Sequence, residues 1–338
     1  MLFIVGYNTG GFLFYNLSLL ELQPKYLCAN ATSPVEYPCK AADFCGKDNV
    51  THRIDWSDKT SLHNWVETLD LTCTPGTKVG LIGSMYFFGL AGSAIVLPRL
   101  SDLFGRKRIY FISMAAHLAV YLVFLLSTSL TLNIVMMFLF GSLSVVRASI
   151  GYIYMQEFTP LAQQSIVGTL VQVITGTISI LACIYFYFIS PWWRPFQIFA
   201  WALNLIIVGC VFFVPESPKY LLSKKRYAET RVSLRYIAKV NKKDPEVVDR
   251  LVFEGETASP VGDGTDEASK LTGGLSDLIK IRRHLVNLMI MTVIWIASAF
   301  NYFLINFKMK SFPGNIFVNT SIASGSEIVA YILAGIAY

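Results

Sequence analysis

Two charged side chains lie well inside long apolar stretches of this 338-residue sequence, away from their ends, and are the first candidates for chemistry. Arg147 lies in the run 132–155, and Glu327 lies in the run 320–338. Ionisable residues are costly in an apolar environment and usually belong to a functional site when they occur there. An arginine donates hydrogen bonds to an anion, whereas a glutamate attracts a cation. The two residues therefore predict a site for a charged small molecule.

Alternative interpretations exist for both residues. Arg147 has no acidic residue three or four positions away, so it either contacts a substrate or donates hydrogen bonds to the backbones of neighbouring helices. Glu327 lies about 12 Å into its predicted helix at a rise of ~1.5 Å per residue, and its carboxylate would attract a cationic substrate only if it faces a cavity. Glu21, at the end of the first apolar run, is interpreted as a solvated boundary residue.

Aromatic side chains are concentrated in the run 285–306. Trp295, Phe300, Tyr302 and Phe303 lie there, and aromatic rings around a cavity hold organic cations through cation–π contacts. The same rings bind nothing if they face lipid, so both interpretations stay open. Three polar residues of other runs either line the cavity or form hydrogen bonds between helices: Asn8, Asn16 and Gln172.

The sequence contains no arrangement of residues typical of catalysis. Its four histidines, at positions 52, 63, 117 and 284, are scattered, and no Cys–His cluster has the spacing of a metal site. No glycine-rich phosphate loop follows a predicted strand, and the basic segment lacks the interleaved aromatic residues of a nucleic-acid-binding surface. We therefore expect no enzyme activity, no cofactor, no metal site and no nucleic-acid partner.

The composition places these candidate residues in a membrane. The chain is 54% hydrophobic and 15% charged, and its mean hydropathy is +0.51, whereas soluble domains carry about 25% charged residues. Eight runs have the roughly 17–25 residues that a helix needs to cross the hydrocarbon core, and a helix satisfies its own backbone in lipid. The runs are approximately 2–22, 77–97, 109–129, 132–155, 166–189, 195–214, 285–306 and 320–338.

The distribution of charge predicts the orientation of these helices. Of the 28 Lys and Arg residues, 14 lie in the segment 215–284, and three more lie at positions 106–108. Basic loops lie on the cytoplasmic side, so both segments are predicted there and the loop 23–76 on the opposite side.

The loop 23–76 has the features of an extracellular segment. It contains four of the six cysteines, which predicts two disulfides in one of three pairings; they are Cys28, Cys39, Cys45 and Cys73. Asn30 and Asn49 begin Asn-X-Thr sequences and are candidate glycosylation sites. We expect an integral protein of the plasma membrane, with an organelle membrane as the alternative.

The order of the runs divides the chain into three parts. It predicts a six-helix N-terminal bundle at 1–214, a cytoplasmic loop at 215–284 and the first two helices of a second bundle at 285–338. Within the loop, apolar residues interspersed with Lys and Arg predict an amphipathic surface helix over 217–243, with Glu216 and Ser217 as its caps. Residues 254–274 have turn residues and no periodicity and are predicted to be a flexible linker.

Five motifs in order along the chain resemble the major facilitator superfamily, in particular its organic-ion branch of organic cation, organic anion and carnitine-type transporters. "NWVETLDLTC" at 64–73 resembles the end of the outer loop of that branch, and "VPESPKYLL" at 214–222 resembles the end of the sixth helix. The Gln-rich seventh-helix signature of the sugar porters is absent. The other motifs are "GYIYMQEF" at 151–158, "WRPFQ" at 193–197, and "WIASAFNYF" with "FPGNIFVN" at 295–303 and 312–319.

The stretch "PRLSDLFGRK" at 98–107 resembles the inner-gate motif of the superfamily, Gly-x-x-x-Asp-Arg-x-Gly-Arg-Lys. Gly105 would permit the tight turn, and Asp102 is expected to bind helix-end amides of the opposite bundle or a nearby cation. The alternative is a loop of solvated charges. The gate residues that the resemblance implies are Asp102, Gly105, Arg106, Lys107, Glu157 and Glu216.

Several residues depart from the family pattern. Three cations of the gate are missing, since Leu103, Met137 and Gln164 lie where the family carries Arg. The superfamily has twelve helices, and the chain ends after the eighth predicted one, so the sequence is interpreted as truncated, with degenerate gate motifs. Glu327, in contrast, matches an acidic position of the organic-cation members.

The sequence therefore predicts an all-α, polytopic membrane protein with a major-facilitator-type helical bundle. We expect a transporter of small organic ions that works by alternating access, with the lipid bilayer and the organic ion as its partners. One alternative is a transport-inactive structural subunit packed with other membrane subunits, and another is a sugar-porter-like carrier. The predicted substrate-binding residues are Arg147, Glu327, Tyr302, Phe300, Trp295 and Gln172.

Overall fold

The computed structural model describes residues 1–30, 33–47, 49–253, 256 and 280–337. Within these residues six helices are long and apolar enough to cross a membrane, which confirms the predicted helical, polytopic class. We name them the third to eighth spans, and they are Arg106–Leu126, Leu130–Phe158, Leu161–Ile189, Trp193–Phe213, Arg282–Ser311 and Ile316–Ala337. The predicted linker 254–274 lies outside the described residues, apart from residue 256.

The second span is a bent pair of helices, Gly76–Ala94 and Leu97–Phe104, which meet at 42°. Pro98 lies in the first turn of the second helix, and a proline cannot donate the backbone hydrogen bond that would continue the preceding helix. Pro98 therefore causes the bend, and it lies at the position of the first Gly in the gate motif. We call the end of the bundle that carries the loop 23–76 the outer end, and the opposite end the inner end.

The first run, 2–22, is not one continuous helix, and this expectation was wrong. It forms three short helices, Leu2–Asn8, Gly11–Phe14 and Leu17–Leu20, which we name together the first span. Near both breaks a side chain competes with backbone N–H groups for a carbonyl acceptor. The side-chain amides of Asn8 and Asn16 each donate to the carbonyl oxygen four residues earlier, at 2.9 and 3.0 Å. The segment is nevertheless at the centre of the fold, because most of its residues are buried.

Glycines allow the second and fourth spans to pack backbone against backbone. A Cβ atom on Gly89 would lie 2.0 Å from Phe138 O, and one on Gly141 would lie 2.0 Å from Tyr86 O. Ser142 Oγ also donates to Gly89 O at 3.2 Å. Small residues permit this close approach, which is a common basis of helix association in membranes.

A small three-stranded sheet, which the sequence did not predict, lies in the outer loop. Its strands are β1 (Tyr26–Asn30), β2 (Ser33–Cys39) and β3 (Val50–Ile54), antiparallel in the order β2-β1-β3. Two short helices, Ala41–Phe44 and Trp65–Thr68, complete the loop. The two predicted disulfides are present and select one pairing, Cys28–Cys39 and Cys45–Cys73.

The outer loop is attached to the turn between the fifth and sixth spans. The His63 N–H donates to Pro191 O, and the Trp193 N–H donates to His63 O, both at 3.1 Å. The His63 ring also stacks between Trp56 and Trp192, at centroid distances of 3.9 and 4.1 Å. Asn30 and Asn49 are exposed, and their glycosylation stays a prediction.

The segment after the sixth span forms two helices, Pro218–Ser223 and Tyr227–Val240, instead of the single helix predicted over 217–243, because the chain turns at Lys225, whose φ is +59°. A 3-10 helix follows at Pro245–Arg250. Ser217 caps the first of them as predicted, because its Oγ accepts from the Tyr220 N–H at 3.2 Å. The Tyr227–Val240 helix is attached by Ser233 Oγ, which donates to Glu216 O at 2.8 Å. Val232 and Val240 are more than half exposed, and the contact of this face with lipid stays a prediction.

Candidate functional site

Arg147 lies where the fourth span changes its hydrogen-bonding pattern. Val146–Ile150 form a turn of π-helix between the α-helices Leu130–Val145 and Gly151–Phe158. Such turns are rare and are frequent at functional sites. The Arg147 side chain lies inside the protein, where only 6% of the residue is exposed.

The guanidinium of Arg147 has no charged partner among the described residues. Nη2 donates to Ser144 Oγ at 3.3 Å, and Nε and Nη1 are buried without a hydrogen-bond partner. Among the described residues, the backbone hydrogen bonds that were the alternative to substrate binding are therefore not formed. A buried cation with unused donors is costly unless an anion satisfies it.

Glu327 lies midway along the eighth span and is partly buried. Its Oε1 is buried and has no hydrogen-bond partner. Tyr302 of the seventh span and Tyr331, one turn further along the eighth, are close enough for their phenol groups to interact with the carboxylate. In the part of the chain that the structure describes, Glu327 thus has neutral neighbours and no salt-bridge partner.

Two tyrosines of the first span are within electrostatic range of these charges. Tyr15 is within this range of both Arg147 and Glu327, and Tyr7 is within it of Arg147 and of Tyr331. The structure therefore brings Arg147 and Glu327 to one region without pairing them. We name the four residues of this region the tyrosine group, and they are Tyr7, Tyr15, Tyr302 and Tyr331.

A cavity of about 620 Å³ lies beside the tyrosine group, between the first, fourth, fifth and eighth spans. Tyr7 and Tyr331, which belong to the tyrosine group, line the cavity, and Tyr152 and Gln172 line it as well. Its volume is within the roughly 300–1,000 Å³ of small-molecule sites. Of the predicted substrate-binding residues Gln172 lines this cavity, whereas Arg147 and Glu327 are not among its lining residues.

The aromatic residues of the seventh span do not act as one cluster. Tyr302 is close to Glu327, and Phe303 packs against Phe87 with a centroid distance of 4.8 Å. Trp295 and Phe300, however, are 76% and 65% exposed. Contact of these two rings with a substrate stays a prediction that the described residues do not support.

The predicted gate residues are brought together at the inner end. Arg106 donates to Asp102 through Nη1, and its Nε lies 3.5 Å from Glu157 Oε1. The Lys107 N–H donates to Glu216 Oε1 at 2.9 Å. One cluster of charges therefore joins the link between the second and third spans to the inner ends of the fourth and sixth.

Gly105 has the conformation that its position in the motif requires. Its φ is +105°, a region that residues with a side chain rarely adopt. A Cβ atom there would also lie 2.4 Å from Glu216 Oε2. The glycine thus permits both the turn and the close approach of the Glu216 carboxylate.

The structure shows what replaces the missing gate cations. Arg106 lies close to both Asp102 and Glu157, so among the described residues these acids pair with a cation of their own cluster. Gln164 donates through Nε2 to Gln156 O and Thr159 O, at 3.1 and 3.4 Å. Met137 is fully buried in the apolar core. Hydrogen bonds of Gln164 at the inner end and apolar packing of Met137 within the bundle therefore take the place of the arginines that the resemblance implies.

The interpretation of Glu21 as a solvated residue was wrong. Its side chain is 5% exposed and forms an ion pair with Lys310, Nζ to Oε2 2.7 Å. The residues are 289 positions apart, so no local pattern in the sequence indicates the contact.

Sequence reasoning also missed three members of the tyrosine group. Tyr331 follows Glu327 by four residues, which is a signal for contact on a helix. Tyr7 and Tyr15 carried no such signal, because the breaks in the first span change which side chains share a face. The predicted polar residues Asn8 and Asn16 do not line the cavity. Asn8 joins the first span to the fifth, since its Oδ1 accepts from Thr175 Oγ1 at 2.7 Å, whereas Asn16 donates within the first span, to Phe12 O at 3.0 Å.

Comparison with known proteins is consistent with this arrangement. The profile of the sugar (and other) transporter family matches residues 3–333. Solute carrier family 22 member 21 of Mus musculus is 25% identical over 290 residues, 85% of this chain and 50% of that protein. Organic cation/carnitine transporter 2 of Homo sapiens is 24% identical over 290 residues, 83% and 49% of the two chains. The chain spans about half the length of these curated relatives.

Proposed function

The chain belongs to the sugar (and other) transporter family, and on this premise we propose that it carries small organic ions across a membrane by alternating access. Its relatives are transporters and not enzymes, as the sequence predicts. The disulfides of the outer loop support a protein of the secretory pathway, and we place it in the plasma membrane.

The observation that carries this proposal is a pair of opposite, unpaired charges around the tyrosine group. Glu327 Oε1 and two nitrogens of Arg147 are buried without partners, although such groups are normally satisfied in a folded protein. A bound ion that reaches them would supply the missing partner. The adjacent cavity of about 620 Å³ has room for a small organic molecule.

Organic cations are the substrate class that the site supports best. The carboxylate of Glu327 supplies the attracting charge, and the rings of Tyr302 and Tyr331 beside it supply cation–π contacts. One relative is named an organic cation/carnitine transporter, which agrees with a cationic group at this position. Arg147, which like Glu327 lies within electrostatic range of Tyr15, would bind an acidic group of the substrate where one is present.

Uptake measurements test the proposal. Cells that express the protein are compared with untransfected cells for uptake of radiolabelled tetraethylammonium, normalised to the amount of protein at the cell surface. Glu327→Gln should reduce uptake at least about tenfold, because it removes the one carboxylate of the site, and a factor of ten corresponds to about 1.4 kcal/mol. Glu246→Gln, on an exposed inner segment, is the matched control and should transport normally. Equal uptake by the wild type and Glu327→Gln would remove Glu327 from the site.

The altered gate residues favour a second candidate function, that of a transport-inactive subunit. Leu103, Met137 and Gln164 replace cations that the gate of the superfamily uses. This candidate predicts stable co-purification with other membrane chains and no saturable uptake of any organic ion. A monodisperse protein that is free of partners and transports tetraethylammonium would rule it out.

A further inference from the structure

One ion pair joins the first span to the turn after the seventh helix. Glu21 follows the last short helix of the first span, Leu17–Leu20, at the outer end. Lys310 lies in the 3-10 turn Met309–Ser311 that ends the seventh span, and its Nζ donates to Glu21 Oε2 at 2.7 Å. Among the described residues, it is the only salt bridge between the first six spans and the seventh or eighth.

Glu21 depends on Lys310 for the neutralisation of its charge. The Glu21 side chain is 5% exposed and that of Lys310 is 30% exposed. The second carboxylate oxygen, Oε1, is buried without a hydrogen-bond partner. Removal of one member of a buried pair leaves an uncompensated charge, so separation of Glu21 from Lys310 requires that water reach the carboxylate.

Aromatic packing closes the outer half of the protein beneath this ion pair. Phe303 of the seventh span contacts Phe14 and Phe87 of the first and second spans, at centroid distances of 5.7 and 4.8 Å. Phe307 lies against Gly83 and Leu17 at the same level. The space left there, beside Ser18, is only about 10 Å³.

The inner half is open by comparison. The cavity of about 620 Å³ extends from the tyrosine group to Gln164 and Ser165, at the inner end of the fifth span. The seventh and first spans therefore pack closely on the outer side, where Glu21 and Lys310 meet, while space remains on the inner side. Such asymmetry is what alternating access requires of one of its two states.

We propose that Glu21 and Lys310 form an outer latch, an ion pair that holds the outer end of the first span against the seventh and must break for the outer side to open. This inference rests on the proposed function, since it assigns the pair to one state of a transport cycle. With the pair intact, the phenylalanines below it stay in contact. With the pair broken, each charge becomes hydrated and the two spans separate.

Labelling of a cysteine at the closed outer site tests the latch. Ser18 is 7% exposed and lines the small space beneath the pair, so Ser18→Cys reports its opening. The free cysteines Cys183 and Cys210 are replaced by Ser, and a membrane-impermeant maleimide is applied from outside to intact cells. Glu21→Gln and Lys310→Gln should each increase the labelling rate about tenfold, the effect of about 1.4 kcal/mol on an equilibrium.

Exchange of the two charges distinguishes loss of the ion pair from a general destabilisation of the packing between the first and seventh spans. Glu21→Lys combined with Lys310→Glu keeps an ion pair and should restore slow labelling. Arg53→Gln breaks the exposed outer-loop pair with Glu36 and should leave the rate unchanged. Unchanged labelling in both single variants, or fast labelling in the exchanged variant, would overturn the proposal.

The labelling experiment is independent of the substrate, so the two proposals can fail separately. Latch-dependent labelling without uptake of any organic cation would contradict the proposed function and leave the outer latch in place. Normal uptake of tetraethylammonium with labelling that does not depend on Glu21 or Lys310 would contradict the latch alone.

Discussion

Arg147 lies directly against Gly10, at the first break of the first span. A Cβ atom on Gly10 would lie 1.7 Å from Nη1 and 2.4 Å from Cζ of the guanidinium. The break in one helix and the absence of a side chain thus create the space that the buried cation of another helix occupies. The position of Arg147 relative to the tyrosine group depends on a residue that has no charge or hydrogen-bonding side chain of its own.

Gly10→Ala is expected to impair binding more than folding. The new methyl group meets only the end of a flexible arginine side chain, which can move, and alanine costs less backbone entropy than glycine. We expect a change in the free energy of unfolding below about 1 kcal/mol and a loss of organic-ion uptake of about tenfold or more. Uptake and the melting temperature of the purified protein are measured together.

Gly209→Ala is the matched control for this variant, because nothing lies within 4 Å of a Cβ atom at Gly209. It should leave both uptake and melting temperature close to the wild-type values. Normal uptake by Gly10→Ala would show that transport does not require the close contact between Arg147 and Gly10.

A Gly→Ala substitution where the second and fourth spans cross should, unlike Gly10→Ala, impair folding. A Cβ atom on Gly89 or Gly141 would overlap backbone atoms of the other span at 2.0 Å, and backbone cannot move aside as a side chain does. Gly141→Ala is therefore expected to destabilise the protein by about 1–3 kcal/mol and to lower its melting temperature and surface expression. Gly92→Ala is the control in the same second span, because nothing lies within 4 Å of a Cβ atom at Gly92, and it should change neither the melting temperature nor surface expression. Equal melting temperatures for Gly141→Ala and Gly92→Ala would contradict the close crossing.

The sequence predicted those parts of the fold that depend on local composition. Apolar length alone located most spans, and the number of cysteines in the loop 23–76 predicted two disulfides, because both signals act over short stretches. The pairing of Cys28 with Cys39 was not predictable, since it follows from the β1–β2 register that places the two residues near each other. Spacing alone left three pairings possible.

The candidate site was only partly predictable for a similar reason. Arg147 and Glu327 stand out as charges in apolar runs, and this signal requires no knowledge of the partner helices. Their neighbours Tyr7 and Tyr15 are set by the breaks in the first span, and Lys310 is set by contact between distant segments. Such properties arise from tertiary packing, which no periodicity in a single sequence encodes.

The two disulfides are expected to contribute unequally to the stability of the outer loop. Cys28–Cys39 closes a separation of 11 residues between strands that already pair, and Cys45–Cys73 closes one of 28 residues and holds the loop next to the second span. The difference in loop entropy favours the longer closure by about 0.8 kcal/mol. Replacement of Cys45 and Cys73 by Ala should therefore accelerate protease cleavage of the loop more than replacement of Cys28 and Cys39, and the reverse order would contradict this assignment.

Arg106 is expected to be the most important cation of the inner cluster, because it is near two acids at once. Its side chain is 13% exposed, and Asp102 and Glu157 are its partners. Arg106→Ala would leave the Glu157 side chain, 15% exposed, without a cation, so we expect a loss of about 1–3 kcal/mol of stability, seen as a lower melting temperature in detergent. Arg108→Ala removes an exposed arginine two residues away and serves as the control for loss of charge alone. If the two variants melt at the same temperature, the cluster is solvated in the way that the alternative interpretation of the gate motif predicts, and Arg106 serves only to set the orientation of the chain in the membrane.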